Sequence, residues 1–176
     1  MGLQSPTAVD PLAQAAMVAY CRWDPTTPVV NETVLLDGNG ALSLFLPSLY
    51  VTAVTAVTVT WQDGSTYAAQ IGTGLDVAWN EGGELSWLPT AVQGFGCWPE
   101  GKQNVAVTYS GGYATVPNDL QAALNSLSNR MANVTTGIAS KKVGTAAISY
   151  AQSLAQGGLL LVEQMVFDKY RIVGVA

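Results

Sequence analysis

Histidine is absent from all 176 residues. That absence removes the commonest general acid–base group, the commonest metal ligand and every Ser-His or Cys-His nucleophile pair. Charge is scarce as well, at 11% of residues against about a quarter in ordinary soluble chains. A dedicated nucleic-acid binder needs clustered bases to neutralise phosphates, and a formal net charge of −5 argues against that class. Cys21 and Cys97 have no CxxC spacing and no neighbouring metal-ligand pattern. No run approaches the roughly 18 apolar residues a membrane span needs, so no membrane partner is expected. Met1–Ser5 shows neither the basic nor the apolar region of a signal peptide. A protein made in a reducing cytoplasm is the expectation, and the sequons at Asn31 and Asn133 are then chance matches.

The little charge present is unevenly placed. Ten acids and two bases (Arg22 and Lys102) lie between Met1 and Asp119, whereas Leu120–Ala176 holds five bases and two acids. Such asymmetry suggests two faces meeting different neighbours. With 49% apolar residues, part of the uncharged surface is expected to be covered by other subunits.

Chemistry that avoids histidine finds little support. Glu81, Glu84 and Asp76 could form a carboxylate pair of the glycosidase kind, but they flank a turn with no apolar cleft around them and read as solvated hairpin charges. Gly111-Gly112-Tyr113 lacks the rest of a phosphate-binding loop. Asp37-Gly38-Asn39-Gly40 lacks the later ligands of a calcium loop. No catalytic residue, cofactor or metal is therefore expected. Trp61, Trp79 and Trp87 could stack on sugar rings, although core packing suits tryptophans in strands better.

Patterning divides the chain into a short helix, a long β-rich middle and a helical last third. Asp10-Pro11 opens a helix, with Leu12, Ala16, Ala19 and Trp23 spaced to pack, and Asp24-Pro25 ends it. In the middle, Val34–Leu36 and Leu42–Leu46 flank Asp37–Gly40 as a hairpin, and Val51–Trp61 is a β-branched strand turned by Asp63-Gly64 toward Tyr67–Ile71. Leu75–Trp79 and Glu84–Leu88 flank Glu81-Gly82-Gly83, and Val105–Tyr109 alternates as the last strand of the middle. Gly94–Pro99 reads as a loop with aromatic anchors. Val116-Pro117-Asn118-Asp119 starts a second helix, whose Leu120, Ala123, Leu124, Leu127 and Met131 form one apolar stripe. From 135 to 156 no helical period survives, and a long loop or flexible hairpin carrying Lys141-Lys142 is expected. A last helix runs from about Leu159 to Tyr170, followed by an apolar tail.

The order of several short motifs resembles the head–tail connector (adaptor) family of siphophages, especially those of actinobacterial phages. The carrying residues are Trp98-Pro99, Asn104–Tyr109, Gly112-Tyr113, Val116–Leu120 and Glu163 through Tyr170-Arg171, joined by the Leu44–Pro47 strand end. The resemblance spans most of the chain. Lys169 departs from the pattern before the closing Tyr-Arg, and the Thr135–Ala155 loop shows no pattern that aligns with the family. The resemblance implies an α+β fold: a small helical bundle, made of the N-terminal helix plus two C-terminal helices, with a β-rich hairpin insertion. Residues 1–28 would be the N-terminal helix of the core, 29–110 the insertion, 111–171 the helical core and 172–176 the tail.

Functionally it implies a structural virion protein at the head–tail interface, assembled in the host cytoplasm as a twelve-subunit ring beneath the portal protein. Its other face would meet a stopper or tail-completion protein, and DNA would cross its bore without specific binding. Acids facing the bore would repel phosphate, and Asp10, Glu32, Asp63, Asp76, Glu81 and Glu84 are the candidates. Tyr170, Arg171, Ile172, Val173, Gly174, Val175 and Ala176 would clasp the portal, and Lys141 and Lys142 would contact an acidic portal or a neighbouring subunit. The alternatives are a stopper or tail-terminator ring, which would be mostly β, and a carbohydrate- or host-surface-binding β-module.

Overall fold

The computed structural model describes residues 10–72, 74–88, 96–133, 140–143, 146–149 and 159–172. The chain forms two compact units, Asp24–Thr115 and the combination of Met1–Trp23 with Val116–Ala176.

The first unit is built of seven strands: β1 (Val29–Gly38), β2 (Ser43–Phe45), β3 (Val51–Thr60), β4 (Thr66–Ala69), β5 (Val77–Trp79), β6 (Glu84–Trp87) and β7 (Gly101–Gly111). They make a four-stranded sheet in the order β1-β7-β3-β4 and a three-stranded sheet in the order β2-β6-β5, both with antiparallel ladders. Strand β7 is central because its alternation is cleanest, with Val105, Val107 and Tyr109 all buried. Strand β3 buries Val51, Val54, Val57 and Val59, a spacing of three, three and two. Its pairing with β7 shifts register between Val51 and Ala53 and again between Val54 and Ala56. Each irregularity adds a residue, which keeps the valines on the inner face.

Both sheets contribute to one core, with Leu44, Leu85 and Trp87 from the smaller and the valines from the larger. Trp98 is fully buried and meets Trp87 edge-on at 4.9 Å between ring centroids. Its Nε1–H donates to the carbonyls of Leu42 (3.1 Å) and Leu85 (3.3 Å), so the indole fills the interior while its polar edge stays satisfied. Gly38 is needed where β1 ends, because a Cβ there would lie 1.8 Å from the Pro99 carbonyl oxygen.

The second unit contains α1 (Pro11–Cys21), α2 (Asn118–Asn133), a hairpin of β8 (Ser140–Val143) and β9 (Ala146–Ser149), α3 (Leu161–Phe167) and a closing 3-10 turn, Asp168–Tyr170. Asp10 caps α1 by accepting the Leu12 N–H at 2.9 Å. The α2 stripe is as the spacing predicts, with Leu120, Leu124 and Leu127 fully buried.

Three expectations are corrected. The fold class is not a helical bundle with a β insertion: the described residues are mostly β, with two antiparallel sheets and the β8–β9 hairpin against three helices. The apolar stripe of α2 is the strongest local signal in the chain, but the seven strands close around an aromatic core of their own, so they form the larger body instead of decorating the helices. Val34–Leu36 and Leu42–Leu46 do not form a hairpin. β1 pairs with β7 and β2 with β6, and Asn39 shapes the crossing between sheets by accepting the Ala41 N–H and donating to the Ser43 carbonyl. Finally, α1 packs through Ala13, Met17 and Cys21, while Leu12 is 64% exposed. An alanine-rich helix with no charge offers several equivalent stripes, and tertiary contacts choose among them.

Candidate functional site

The root of the predicted portal clasp is stitched into the helical unit. Helix α3 has only seven residues, too few to stand alone in water, and Glu163 holds it in place. The Glu163 carboxylate accepts the Leu160 N–H at 2.9 Å, capping the helix start, and forms an ion pair with Arg130 of α2. Ser126 Oγ lies 3.3 Å from its other oxygen. Glu163 is buried, and a buried carboxylate needs such partners to offset its lost hydration. Phe167 continues the contact, fully buried with its ring 6.2 Å from that of Tyr20.

The chain then turns through Asp168–Tyr170. The Tyr170 hydroxyl donates to Asp119 Oδ1 at 2.6 Å, and the Tyr170 carbonyl accepts the Trp23 Nε1–H. The Ile172 N–H donates to the Cys21 carbonyl at 3.0 Å. Two partly exposed charges lie alongside: Lys169 Nζ reaches Asp119 at 3.1 Å, and the Arg171 guanidinium stands 5.3 Å over the Tyr20 ring. The Tyr170 and Lys169 donors, which favour the ionised form, hold the Asp119 carboxyl below the usual aspartate value. Tyr20 is raised, chiefly because its hydroxyl donates to Asp168 at 2.8 Å.

Of the predicted portal-contact residues, Tyr170 is thus a packing residue at the base of the segment, Arg171 is exposed and Ile172 is half-buried. Residues Val173, Gly174, Val175 and Ala176 lie outside the described residues. Lys141 and Lys142 fall in strand β8 opposite Ile148 and Ala147, and their side chains lie outside the described residues.

Other candidates are committed to structure. Asp76 is buried and accepts from the Tyr67 hydroxyl (2.6 Å) and the Gln70 N–H (2.9 Å), so it cannot line a channel. Glu84 accepts from Ser43 Oγ and Asn80 Nδ2 at the β5–β6 turn. Trp87 is 1% exposed and unavailable as a sugar platform, while Trp61 and Trp79 pack partly buried against the core. Among the described residues no group of three His, Cys, Asp or Glu is placed to hold a metal, and no helix is long and apolar enough to cross a membrane.

Sequence reasoning missed two features: the Glu163–Arg130 pair and the exposure of Leu161, Val162 and Met165 on the outer side of α3. The one available signal was Glu163 standing as the single charge within an apolar run.

No protein-family model matches the chain, and no curated protein matches it. Among solved structures, the fold is similar to that of a chain in the assembly described as "Neck of empty GTA particle computed with C6 symmetry", with a TM-score of 0.50. The match covers 94% of this chain and 76% of that one at 15% identity, a likeness of fold.

Proposed function

We propose that this protein is a non-enzymatic structural component of the neck of a phage-like particle, acting as the head-to-tail adaptor ring beneath the portal. The single observation that carries this reading is the fold shared over 94% of the chain with a neck chain of a GTA, a phage-like gene transfer agent. The scarcity of charge and the apolar helix faces left in solvent support an oligomer. The six-fold symmetry named for that neck is compatible with a twelve-subunit ring, which contains it. In this reading the protein belongs to the virion, at the head–tail interface, and is assembled in the host cytoplasm. Its partners are the portal, a stopper or tail-completion protein and its own copies, and DNA passes through without specific binding. With Asp76 committed elsewhere, exposed acids such as Glu32 and Glu81 are the better channel-facing candidates.

Residues 170–176 supply the portal clasp, with Tyr170 as its anchored base and the apolar stretch beyond Ile172 as its reaching part. Lys141 and Lys142 contact an acidic portal or neighbour. One observation favours a second reading within the same class: the predominance of β-structure suits a stopper or tail-terminator ring.

The test is electron microscopy of purified chain added to portal rings from the same particle. The variants are a chain lacking 173–176, which keeps the packed Tyr170, and a Lys141→Ala/Lys142→Ala chain. A new ring of density on the portal's tail-facing end, lost on truncation, is the expected result. Normal assembly of the double-alanine chain would remove the lysines from the interface. Binding to the tail tube and not the portal would favour the terminator, and binding to a glycan alone would favour the surface module.

A further inference from the structure

We infer that neighbouring copies of this chain join through two different apolar helix faces, the outer side of α1 on one copy seating on the outer side of α3 on the next. The inference rests on the ring reading above and names the surfaces that would close the ring.

Helix α1 carries no charged residue. Its inner side is Ala13, Met17 and Cys21; its outer side exposes Leu12 at 64%, with Ala15 and Ala19 one and two turns on. Apart from Gln14 and the Tyr20 hydroxyl, which donates to Asp168, the helix is apolar, and a helix so apolar is ordinarily covered on most of its sides. The Asp10 cap fixes the first turn, so Leu12 projects from an ordered position. Helix α3 shows the complementary case. Its one charge, Glu163, is turned inward, while Leu161 (72%), Val162 (71%) and Met165 (63%) stand in solvent. Together they expose a few hundred Å², about the largest patch a typical monomer shows and short of the ~800 Å² per partner of a standard interface. A groove of about 310 Å³ between α2 and α3, walled by Ala122, Ser126, Leu160, Val162 and Val166, extends that surface. Asp119 at its end is already held by Lys169 and Tyr170.

The two faces point different ways. The Asp10 N–H donates to Ser128 Oγ, so α1 begins on the Ser128 side of α2. The groove lies on the Ser126 side, and two residues along a helix turn it by about 200°. One chain cannot cover its own groove with its own α1, but a second copy can. Two unlike surfaces repeating head to tail form the heterologous contact that generates a ring when the rotation closes. Small Ala15 and Ala19 beside Leu12 suit the bulkier Leu161, Val162 and Met165, and the carboxylates that line the groove already have partners, Asp119 in Lys169 and Tyr170 and Glu163 in Arg130.

The test uses the full chain with Leu12→Cys and Val162→Cys in a Cys97→Ser background, leaving the fully buried Cys21 in place. The chain is oxidised at high concentration, alone and on portal rings from the same particle, and run on a non-reducing gel. A ladder of dimers, trimers and longer multimers is expected, since each copy links to two others. Single-cysteine chains should stop at dimers, and a Val30→Cys/Val162→Cys control, with Val30 74% exposed, should give no ladder. A missing ladder where the unmodified chain forms a ring on the portal overturns the inference and leaves the neck reading intact. A ladder without any portal binding keeps the interface and sinks the adaptor. Neither ladder nor portal binding overturns both. Independently, Leu161→Lys with Met165→Lys should keep the circular dichroism spectrum yet weaken ring assembly roughly tenfold or more, because two ammonium groups would have to be desolvated. Undiminished assembly overturns the inference.

Discussion

In the β unit the deepest side chains are Trp87, Trp98 and a set of valines and leucines, whereas the contact that holds α3 in the helical unit is an ion pair. The β interior needs few polar fastenings: the Trp98 indole N–H reaches two backbone carbonyls, and buried Asp76 is satisfied by neighbours within nine residues. Around the helices, the fastenings join residues far apart in sequence. Arg130 holds Glu163, Tyr170 holds Asp119 and Trp23 holds Tyr170. A large aromatic interior closes by area, which is non-directional and insensitive to pH. A seven-residue helix cannot bury enough to close that way, so its position depends on a few directional contacts and it keeps one apolar side exposed. Such a division fits the subunit contact proposed for α3.

This contrast can be broken experimentally. The largest effect is expected from Trp98→Ala, which empties the β core and removes the indole N–H from the Leu42 and Leu85 carbonyls. A loss of about 4 kcal/mol should appear in urea unfolding, unchanged across pH 5 to 8. Next comes Glu163→Ala, which takes away the carboxylate paired with Arg130, itself only 12% exposed. A cost of about 3 kcal/mol should accompany faster amide exchange in α3. If Glu163→Ala left α3 as protected as before, the claim that a polar contact positions it would fail. A smaller cost, about 2 kcal/mol, is expected for Gly38→Ala, because the Pro99 carbonyl must move to admit the methyl group.

The smallest effect concerns acid. Asp119 has a folded-state pKa below its unfolded value, owing first to Tyr170 and then to Lys169. Its contribution is therefore present above the unfolded value, about 3.9, and is lost as pH falls through the folded one. Acidification below pH 4 should loosen the Tyr170 turn, read by tyrosine fluorescence, and Asp119→Asn should blunt that response. Equal acid sensitivity in both chains would detach the turn from Asp119.

Local pattern was legible wherever one face of an element had to be buried. The stripe of α2, the alternation of Val105–Tyr109, the valine-threonine run of β3 and the Asp10 cap all correspond to observed elements. Strand pairing was not legible in the same way. Val34–Leu36 and Leu42–Leu46 flank a good turn, yet each found a partner more than 35 residues away, since turn chemistry says only that the chain can reverse. The proposed subunit surfaces were hidden for a related reason: Leu161, Val162 and Met165 look like core residues, and only the inward turn of Glu163 leaves them outside.

What the sequence determined by itself was negative chemistry and local form. Its period-2 and period-3.6 runs marked strands and helices, and its lack of histidine left out histidine-based chemistry, because residue type and spacing act over a few residues. The tertiary structure decided which strands share a sheet, which side of α1 is interior and which apolar residues stay in water. Those outcomes depend on contacts between residues up to about 150 positions apart, such as Cys21 with Ile172, and no local pattern encodes them.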